Sequence, residues 1–500
     1  MKLPLRSAIF LLIILTGAFF RFHALDRQSL WDDEMSSINQ IGQPANQWLP
    51  RFRAYETHPP LYFLQLKTWA KVLPPSLSNL RANSALWGTL ALLFFYWLAM
   101  EAGLSSGGAL TAVALLSFSP YHLAYSQELR PYAFGVVLAI LTWALLARAV
   151  RKNNNTPSPL EGEGGDGGYR SAKNRPPTSI LPLKGEGCSI AHILCGSGIL
   201  QLYTHYWGGF IWAGQVFFAW MRARSQRKRI IIACVVTLAV FSLWLPVLRE
   251  QIRNIKDLGF WAPPASPANL WKTFSAYTGT YFRFASSAFI LPLERWVLGL
   301  ITVLYAVLFV LGIRRKPVLA GAWLIFGLGA PFLLSYWKPS VYIWYRYPVL
   351  MYPAFLLICA AGIAGINSRL WRAALVVLLL GIDCAGLRHY FANWEKANPQ
   401  AVVGYVSRQA GDNDVIIRPA YFHDLFSYYY LDDGRKSIVD EHLLGNDPAR
   451  AMLRGRRIWF ISFDVPRDEI REALLRQFKV VSSMDFPGYA HLGITVYELK

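Results

Sequence analysis

Three short polar clusters carry the residue types able to do chemistry in this chain: Trp31-Asp32-Asp33-Glu34, His58-Pro59-Pro60-Leu61-Tyr62 and Gln127-Glu128-Leu129-Arg130-Pro131-Tyr132. Each lies beside a long apolar stretch, where a carboxylate is costly to keep and marks a functional position by default. A carboxylate in such a place can take a proton from a hydroxyl, and a guanidinium fork matches phosphate oxygens bidentately. Asp33, Glu34 and Glu128 offer the first kind of chemistry; Arg130 and Arg346 offer the second.

The elements that must position these clusters are membrane spans. The chain of 500 residues is 54% hydrophobic and 15% aromatic with only 16% charged residues, too apolar for a soluble protein of this size. Its formal charge of +20 excludes little by itself. The Lys and Arg residues fall in short loops between apolar segments and not in a continuous stripe, which argues for membrane orientation and against nucleic acid. The five cysteines, Cys188, Cys195, Cys234, Cys359 and Cys384, have no metal-ligand spacing and read as small apolar residues.

Windows of span length give about eleven candidate transmembrane helices. They cover residues 7–23, 84–100, 106–122, 132–149, 189–204, 207–221, 230–247, 293–312, 318–336, 348–366 and 371–387. If the N-terminus is cytoplasmic and the spans alternate, the basic groups Lys2/Arg6, Arg148/Arg151/Lys152, Arg222 to Arg229, Arg314 to Lys316 and Arg369/Arg372 all fall on the cytoplasmic side. The first segment lacks a small-residue cleavage site and reads as a retained helix. Four stretches are then extracytoplasmic: 24–83, 123–131, 248–292 and the chain after about 388. The three polar clusters therefore share one membrane face.

Residues 153–187 are rich in Asn, Pro, Gly and Ser, and Pro159-Leu160-Glu161-Gly162-Glu163-Gly164 is echoed by Pro182-Leu183-Lys184-Gly185-Glu186-Gly187. That composition buries too little apolar surface to offset ordering entropy and predicts a disordered cytoplasmic loop. It lacks the Gly-Lys-Ser/Thr ending of a phosphate cradle. The paired near-repeat resembles a translated mobile element.

Leu30-Trp31-x-Asp33-Glu34 after the first span, then His58-Pro59-Pro60-Leu61-Tyr62, then Gln127-Glu128-x-Arg130-x-Tyr132, resembles the bacterial membrane glycosyltransferases related to protein O-mannosyltransferases and to the aminoarabinose transferase of lipid A. Thr204-His205-Tyr206 and Arg346-Tyr347 extend the resemblance to about residue 390. It implies a mainly α, polytopic GT-C architecture in the bacterial inner membrane and a polyprenyl-phosphate-linked sugar donor. It also implies transfer on the extracytoplasmic face to a glycolipid, lipid A-type lipid or protein, with an acidic residue of the first loop as base. On matching positions that residue is Asp33. A sugar on a lipid phosphate already carries a good leaving group, so a base for the acceptor hydroxyl and cations for the phosphate suffice, and direct attack inverts the anomeric carbon. Glu34 would order the loop or contact the acceptor; His58, Glu128, Arg130, Tyr132 and Arg346 are the candidate substrate-binding residues.

Each assignment has a plainer rival. Asp33 and Glu34 can cap a helix beginning near Met35. Glu128 and Arg130 can form an anchoring ion pair, Arg346 can snorkel beside Tyr345 and Tyr347, and His205 can belong to an aromatic belt. No cofactor is required by these motifs; a divalent cation beside the carboxylates is compatible with them. The aromatics of 248–292, among them Phe260, Trp261, Trp271, Tyr277, Tyr281 and Phe282, suit either an isoprenoid cover or an interfacial belt.

After the last span the texture changes to alternating helix and strand. Helices are expected over 400–409 and 467–478, and strands over 414–417, 457–461 and 493–498, giving a small α/β domain over 391–500 on the extracytoplasmic side, behind a transmembrane domain over 1–390. Asp412 and Asp414 read as turn residues. A lipid-linked sugar flippase is the competing function, but its polar site would lie at the membrane midplane among internal repeats. Deleting residues 153–187 is expected to leave activity intact in a strain carrying the shortened chain, whereas loss of activity in a folded deletion variant would show that the loop takes part.

Overall fold

The computed structural model describes residues 4–155, 189–258, 264–284, 287–315, 317–336, 341–393, 396, 398–419, 422–430, 436–440, 457–463, 474–476, 478–486 and 492–499. Most of the Asn/Gly-rich insert, the Phe260 to Pro263 segment and most of the expected 467–478 helix lie outside them.

The chain is mainly helical. Helix α1 (Leu5–Phe22) is followed by three short helices of the first loop, α2 (Asp32–Gly42), α3 (Ala45–Tyr55) and α4 (Leu61–Val72). Then come α5 (Leu77–Glu101), α6 (Ser106–Phe118), α7 (Pro120–Ser126), α8 (Tyr132–Asn155), α9 (Ile190–Thr204), α10 (Gly208–Arg222), α11 (Arg227–Ser242), α12 (Leu245–Leu258) and α13 (Pro267–Tyr277). Strands β1 (Tyr281–Phe284) and β2 (Ser287–Ile290) form an antiparallel hairpin before α14 (Arg295–Ile313), α15 (Val318–Leu324), α16 (Ala330–Leu334), α17 (Tyr352–Ala364) and α18 (Arg369–Ala392).

Among the described residues, six helices are long and apolar enough to cross a membrane: Leu5–Phe22, Leu77–Glu101, Tyr132–Asn153, Arg295–Ile313, Tyr347–Ala364 and Arg369–Ala392. A seventh is added if the pair over Arg224–Ser242 and Leu245–Asn254, bent by 58°, counts as one span. Ser106–Phe118, Ile190–Thr204 and Val318–Leu334 are apolar but shorter. About eleven spans are expected from the apolar windows, and several of those windows fall on the shorter or broken helices. Pro120 follows Ser119, whose hydroxyl accepts from the His122 amide at 3.2 Å and starts a new helix. A π-turn over Ile325–Gly329 separates α15 from α16. The architecture is that of a multi-pass membrane protein.

Close crossings hold the bundle together. A Cβ on Gly312 would lie 1.9 Å from the Ile358 carbonyl oxygen, and one on Gly362 would lie 2.2 Å from that of Leu308. The two glycines thus let α14 and α17 touch backbone to backbone, as small residues do between membrane helices.

Beyond α18 the chain forms a five-stranded mixed sheet in the order β4-β3-β5-β7-β6, from β3 (Val415–Arg418), β4 (Ser437–Asp440), β5 (Ile458–Phe463), β6 (Phe478–Phe486) and β7 (Leu492–Leu499). β3 lies parallel to β4 and β5, and β7 is antiparallel to both β5 and β6. Alternation sorts the side chains: Val415, Ile417, Ile458, Phe460 and Tyr497 share one cluster. Ile416, Trp459, Ile461, Ile494 and Val496 pack on the other with Val402, Val403 and Val406 of α19 (Pro399–Gln409) and Phe426 of α20 (His423–Tyr429). Leu30 and Met35 join that second cluster, so the sheet region holds the start of α2.

Replacing Gly312 or Gly362 with Leu is expected to lower the thermal midpoint of the purified protein by several degrees, since overpacking costs about 1–3 kcal/mol. Gly299→Ala, on the same helix with no atom within 4 Å of its added Cβ, is expected to leave it unchanged.

Candidate active site

The three polar clusters meet around the N-terminus of α2. This helix begins at Asp32, three residues earlier than the sequence pattern suggests, after Trp31 in extended conformation, and carries Asp32, Asp33 and Glu34 in its first turn. No side chain caps it. The helix dipole favours negative charge at this end, yet the two following carboxylates go to different places.

Glu34 turns inward and is fully buried. Its Oε1 accepts from Arg81 Nε at 2.8 Å and its Oε2 from Arg81 Nη2 at 2.6 Å. The Leu129 amide donates to Oε1 at 3.0 Å, and Lys396 Nζ stands 3.6 Å from Oε2. Burial opposes its charge, but Arg81 and Lys396 outweigh it and hold the carboxyl below its ordinary range. Arg81 also donates to the carbonyls of Leu25 (2.8 Å), Gln28 (2.7 Å) and Ser29 (3.0 Å). Of the two roles expected for Glu34, ordering the loop is the one that its contacts support.

Asp33 turns outward, its side chain 26% exposed, and its Oδ2 lies 2.8 Å from Arg346 Nη1. Arg346 precedes the turn that opens the span over Tyr347–Ala364, and its guanidinium lies 5.1 Å from the Trp31 ring centroid and 5.6 Å from that of Tyr345. Those distances suit cation–π contact and help hold the group at the rim. Burial would lower its proton affinity, but Asp33 and the surrounding tyrosines raise it, so the guanidinium stays charged.

Arg130 lies behind this pair, buried. Its Nη1 donates to the Asp33 carbonyl at 3.0 Å and to Ser37 Oγ at 3.3 Å. Its Nη2 is 2.9 Å from His58 Nδ1 and 3.5 Å from Glu56 Oε1. Glu56 is the fourth member of this group. It stands 2.8 Å from His58 Nδ1 and accepts from the amides of Thr57 (2.9 Å) and His58 (3.2 Å) and from Ser36 Oγ (3.0 Å). Burial disfavours its charge, but Arg130, His58 and the Thr57 amide together bring its pKa down to about 2. For His58, burial and then Arg130 lower the pKa against the pull of Glu56.

Glu128 does not pair with Arg130. Both its carboxyl oxygens are buried without a hydrogen-bond partner among the described residues, as are Tyr132 Oη, His58 Nε2 and His205 Nε2. Burial, then its neighbours Glu34 and Asp33, hold the Glu128 carboxyl well above its ordinary range despite Lys396 and Arg346, which favours its protonated form. The rings of His58 and His205 are 5.0 Å apart, His205 and Tyr347 4.7 Å, and Tyr132 and His205 6.2 Å. His205, read from the sequence as a belt residue, thus lies inside the cluster with Tyr132. Among the described residues no group of three or more His, Cys, Asp or Glu side chains is placed to hold a metal ion.

Glu56, Arg81, Lys396 and Ser37 escape the sequence pattern. Glu56 stands two residues before His58 and Arg81 one turn before an apolar window, where each looks like an ordinary loop charge. Their partners are distant in the chain, and no local spacing signals them.

No protein-family model matches the chain, and no curated protein matches it. Solved structures do. ArnT from Cupriavidus metallidurans in the apo state matches with a TM-score of 0.55 at 12% identity, over 98% of this chain and 97% of that one. The same protein bound to undecaprenyl phosphate matches with a TM-score of 0.51 at 12% identity and the same coverage. Archaeal oligosaccharyltransferase AglB from Archaeoglobus fulgidus, in complex with an inhibitory peptide and a dolichol-phosphate, covers 91% of this chain and 69% of its own at 11% identity, with a TM-score of 0.49 too low to add to the argument.

Glu56→Gln tests the buried cluster. With a folded pKa of about 2 against roughly 4.3 unfolded, the carboxylate contributes stability that is fully present above the unfolded value and is lost as pH falls toward the folded one. The thermal midpoint of the natural chain is expected to fall across that window, and that of Glu56→Gln to start lower and fall less steeply. Equal slopes would show that Glu56 is not held as described.

Across a match covering 98% of its residues, then, the chain has the GT-C fold seen in ArnT, in agreement with the group its motifs resemble.

Proposed function

We propose that this protein is a membrane glycosyltransferase that moves a sugar from a polyprenyl-phosphate-linked donor to an envelope glycolipid or protein on the extracytoplasmic face, with Asp33 as base and inversion at the anomeric carbon. The observation that carries the reading is the Asp33–Arg346 pair: a carboxylate and a guanidinium at 2.8 Å on the rim of a buried polar cluster. The GT-C fold supports it, and a neighbour with that fold binds undecaprenyl phosphate.

In the mechanism, the donor phosphate takes up the Arg346 guanidinium, which matches two phosphate oxygens as well as it matches a carboxylate. Asp33 is thereby released from its partner. Its carboxylate accepts the acceptor's O–H proton as that oxygen attacks the anomeric carbon. The bond from that carbon to the phosphate oxygen breaks, its electron pair leaves with the polyprenyl phosphate, and Arg346 balances the charge. Arg130 acts one layer behind, fixing the Asp33 backbone and His58. Glu128, whose two oxygens have no hydrogen-bond partner among the described residues and whose protonated form is favoured by burial, faces sugar hydroxyls, with Tyr132 Oη and His58 Nε2 as further sites. Glu34 positions the helix. The C-terminal sheet region occupies the same face and holds α2 in place.

The test is mass spectrometry of envelope glycolipids and glycoproteins from a strain lacking this chain, complemented by the natural sequence, Asp33→Asn or Arg346→Ala. One sugar modification is expected to disappear and to return only with the natural sequence. Asp33→Asn should fold and reduce turnover roughly 100- to 10,000-fold, the usual contribution of a general base. Full restoration by Asp33→Asn would overturn the proposal, and lipid-linked sugar movement without any transferred product would favour a flippase.

A further inference from the structure

A second site lies at the other end of the bundle. Arg81, bonded to Glu34, and Glu101 bracket α5; at 1.5 Å per residue they are on the order of 30 Å apart, one hydrocarbon thickness. Helix α8 likewise runs from Tyr132, in the polar cluster, to Arg151, and the span over Tyr347–Ala364 runs away from the cluster in the same direction. Where these helices end, a cavity of about 610 Å³ opens between the termini of α5, α8, α10, α15 and α17.

Its wall is divided in two. Arg151, Arg222 and Arg315 supply three cations against the one carboxylate of Glu101. Glu101 is committed: Arg151 Nη2 stands 2.7 Å from its Oε2 and Trp97 Nε1 donates to its Oε1 at 3.0 Å. The remaining charge comes from Arg222, in the last turn of α10, and Arg315, whose Nη2 donates to the Gly365 carbonyl at 3.1 Å. Apart from Ser105, the rest of the wall is apolar, with Phe218, Val318, Leu357 and Ala361. Arg148, Arg227, Lys228, Arg229, Arg314, Arg369 and Arg372 lie on or next to these same helix ends. Positive charge gathers at the membrane face whose lipids are acidic.

We propose that this cavity seats an anionic phospholipid of the leaflet opposite the Asp33 site, with its phosphate between Arg222 and Arg315 and an acyl chain along Phe218, Val318 and Leu357. An excess of cations beside an apolar groove at headgroup depth complements such a lipid, and basic pockets between membrane helices bind acidic headgroups in this way. Because the cavity joins α8, α10 and α17, a lipid seated there ties together helices whose opposite ends carry the polar cluster.

The test uses native mass spectrometry and thermal shift on the purified full-length chain in detergent, with phosphatidylglycerol, phosphatidylcholine of the same acyl chains, or inorganic phosphate added. Phosphatidylglycerol is expected to bind preferentially and raise the thermal midpoint. Arg222→Ala with Arg315→Ala should weaken that binding roughly 30-fold, two cations' worth at the membrane surface. Arg369→Ala with Arg372→Ala, at the same membrane face but outside the cavity wall, should leave it unchanged. Ala361→Phe, which narrows the cavity from its apolar side and removes no charge, should weaken it as well and keeps the test open if the arginine variant fails to fold. Equal binding of the two lipids, an equal loss in both arginine pairs, or the full shift with inorganic phosphate alone would overturn the proposal.

Discussion

The arrangement depends on one buried ion pair. Glu34 and Arg81 meet through two parallel hydrogen bonds with no exposed atoms to speak of, their side chains 0% and 1% accessible. Burying two charges costs several kcal/mol each unless every donor and acceptor is used, and here Arg81 spends all five N–H donors on Glu34 and three loop carbonyls. The pair joins a membrane helix, the chain leaving α1, the first turn of α2 and the Leu129 amide. A pair that ties four segments together specifies geometry more than it adds stability. Its effect is to set Asp33, one residue away and about 100° round the helix, at the rim.

The neighbouring carboxylates then divide the work by the company they keep. Glu34 has Arg81 and Lys396, Glu56 has Arg130 and His58, and Asp33 has Arg346. Glu128 has no hydrogen-bonded cation among the described residues, and burial raises its proton affinity. A carboxylate at the rim can exchange its partner for a phosphate; those further in cannot without leaving a buried charge uncompensated. Residue types that look equivalent in one dimension thereby acquire three settings: ion-paired at the rim, anchored within the cluster, and buried without a hydrogen-bond partner among the described residues. Gln127 adds the remaining restraint, its side-chain amide closing the end of α1 on the carbonyls of Phe20, Arg21 and His23 while Tyr390 holds its oxygen.

Much of this was legible in the sequence because it rests on local constraints. Apolar length marks the membrane helices, and acidic residues at a helix start or His58-Pro59-Pro60 beside a span stand out against their surroundings. The convergence of Asp33, His58 and Arg130 follows once the spans are threaded. What stayed hidden is set by contacts between distant segments: Glu56 as the partner of Arg130, Arg81 as the partner of Glu34, and His205 turned into the cluster. Likewise β4 and β6 carry no clear alternation. Strand β6 exposes most of its residues, and β4 has one fully buried position, so neither shows the pattern that identifies β3 and β5. Apolar windows and helices of full span length give different numbers where Pro120 or the π-turn breaks a run whose composition is otherwise suitable.

The clamp on α2 has a consequence for how the protein is made. Arg27 donates to the Tyr390 carbonyl at 2.9 Å, Ser29 to Asn398 Oδ1 at 2.8 Å, and the Leu30 amide to Tyr429 Oη at 2.9 Å. These partners are separated by 363 to 399 positions along the chain. While the ribosome is still adding the later helices, the segment bearing Asp33 has nothing to lock against. Its final pose is reached only once those later segments are present, so a half-built copy in the bilayer lacks the contacts that fix Asp33, and the first and last parts of the chain lock together late.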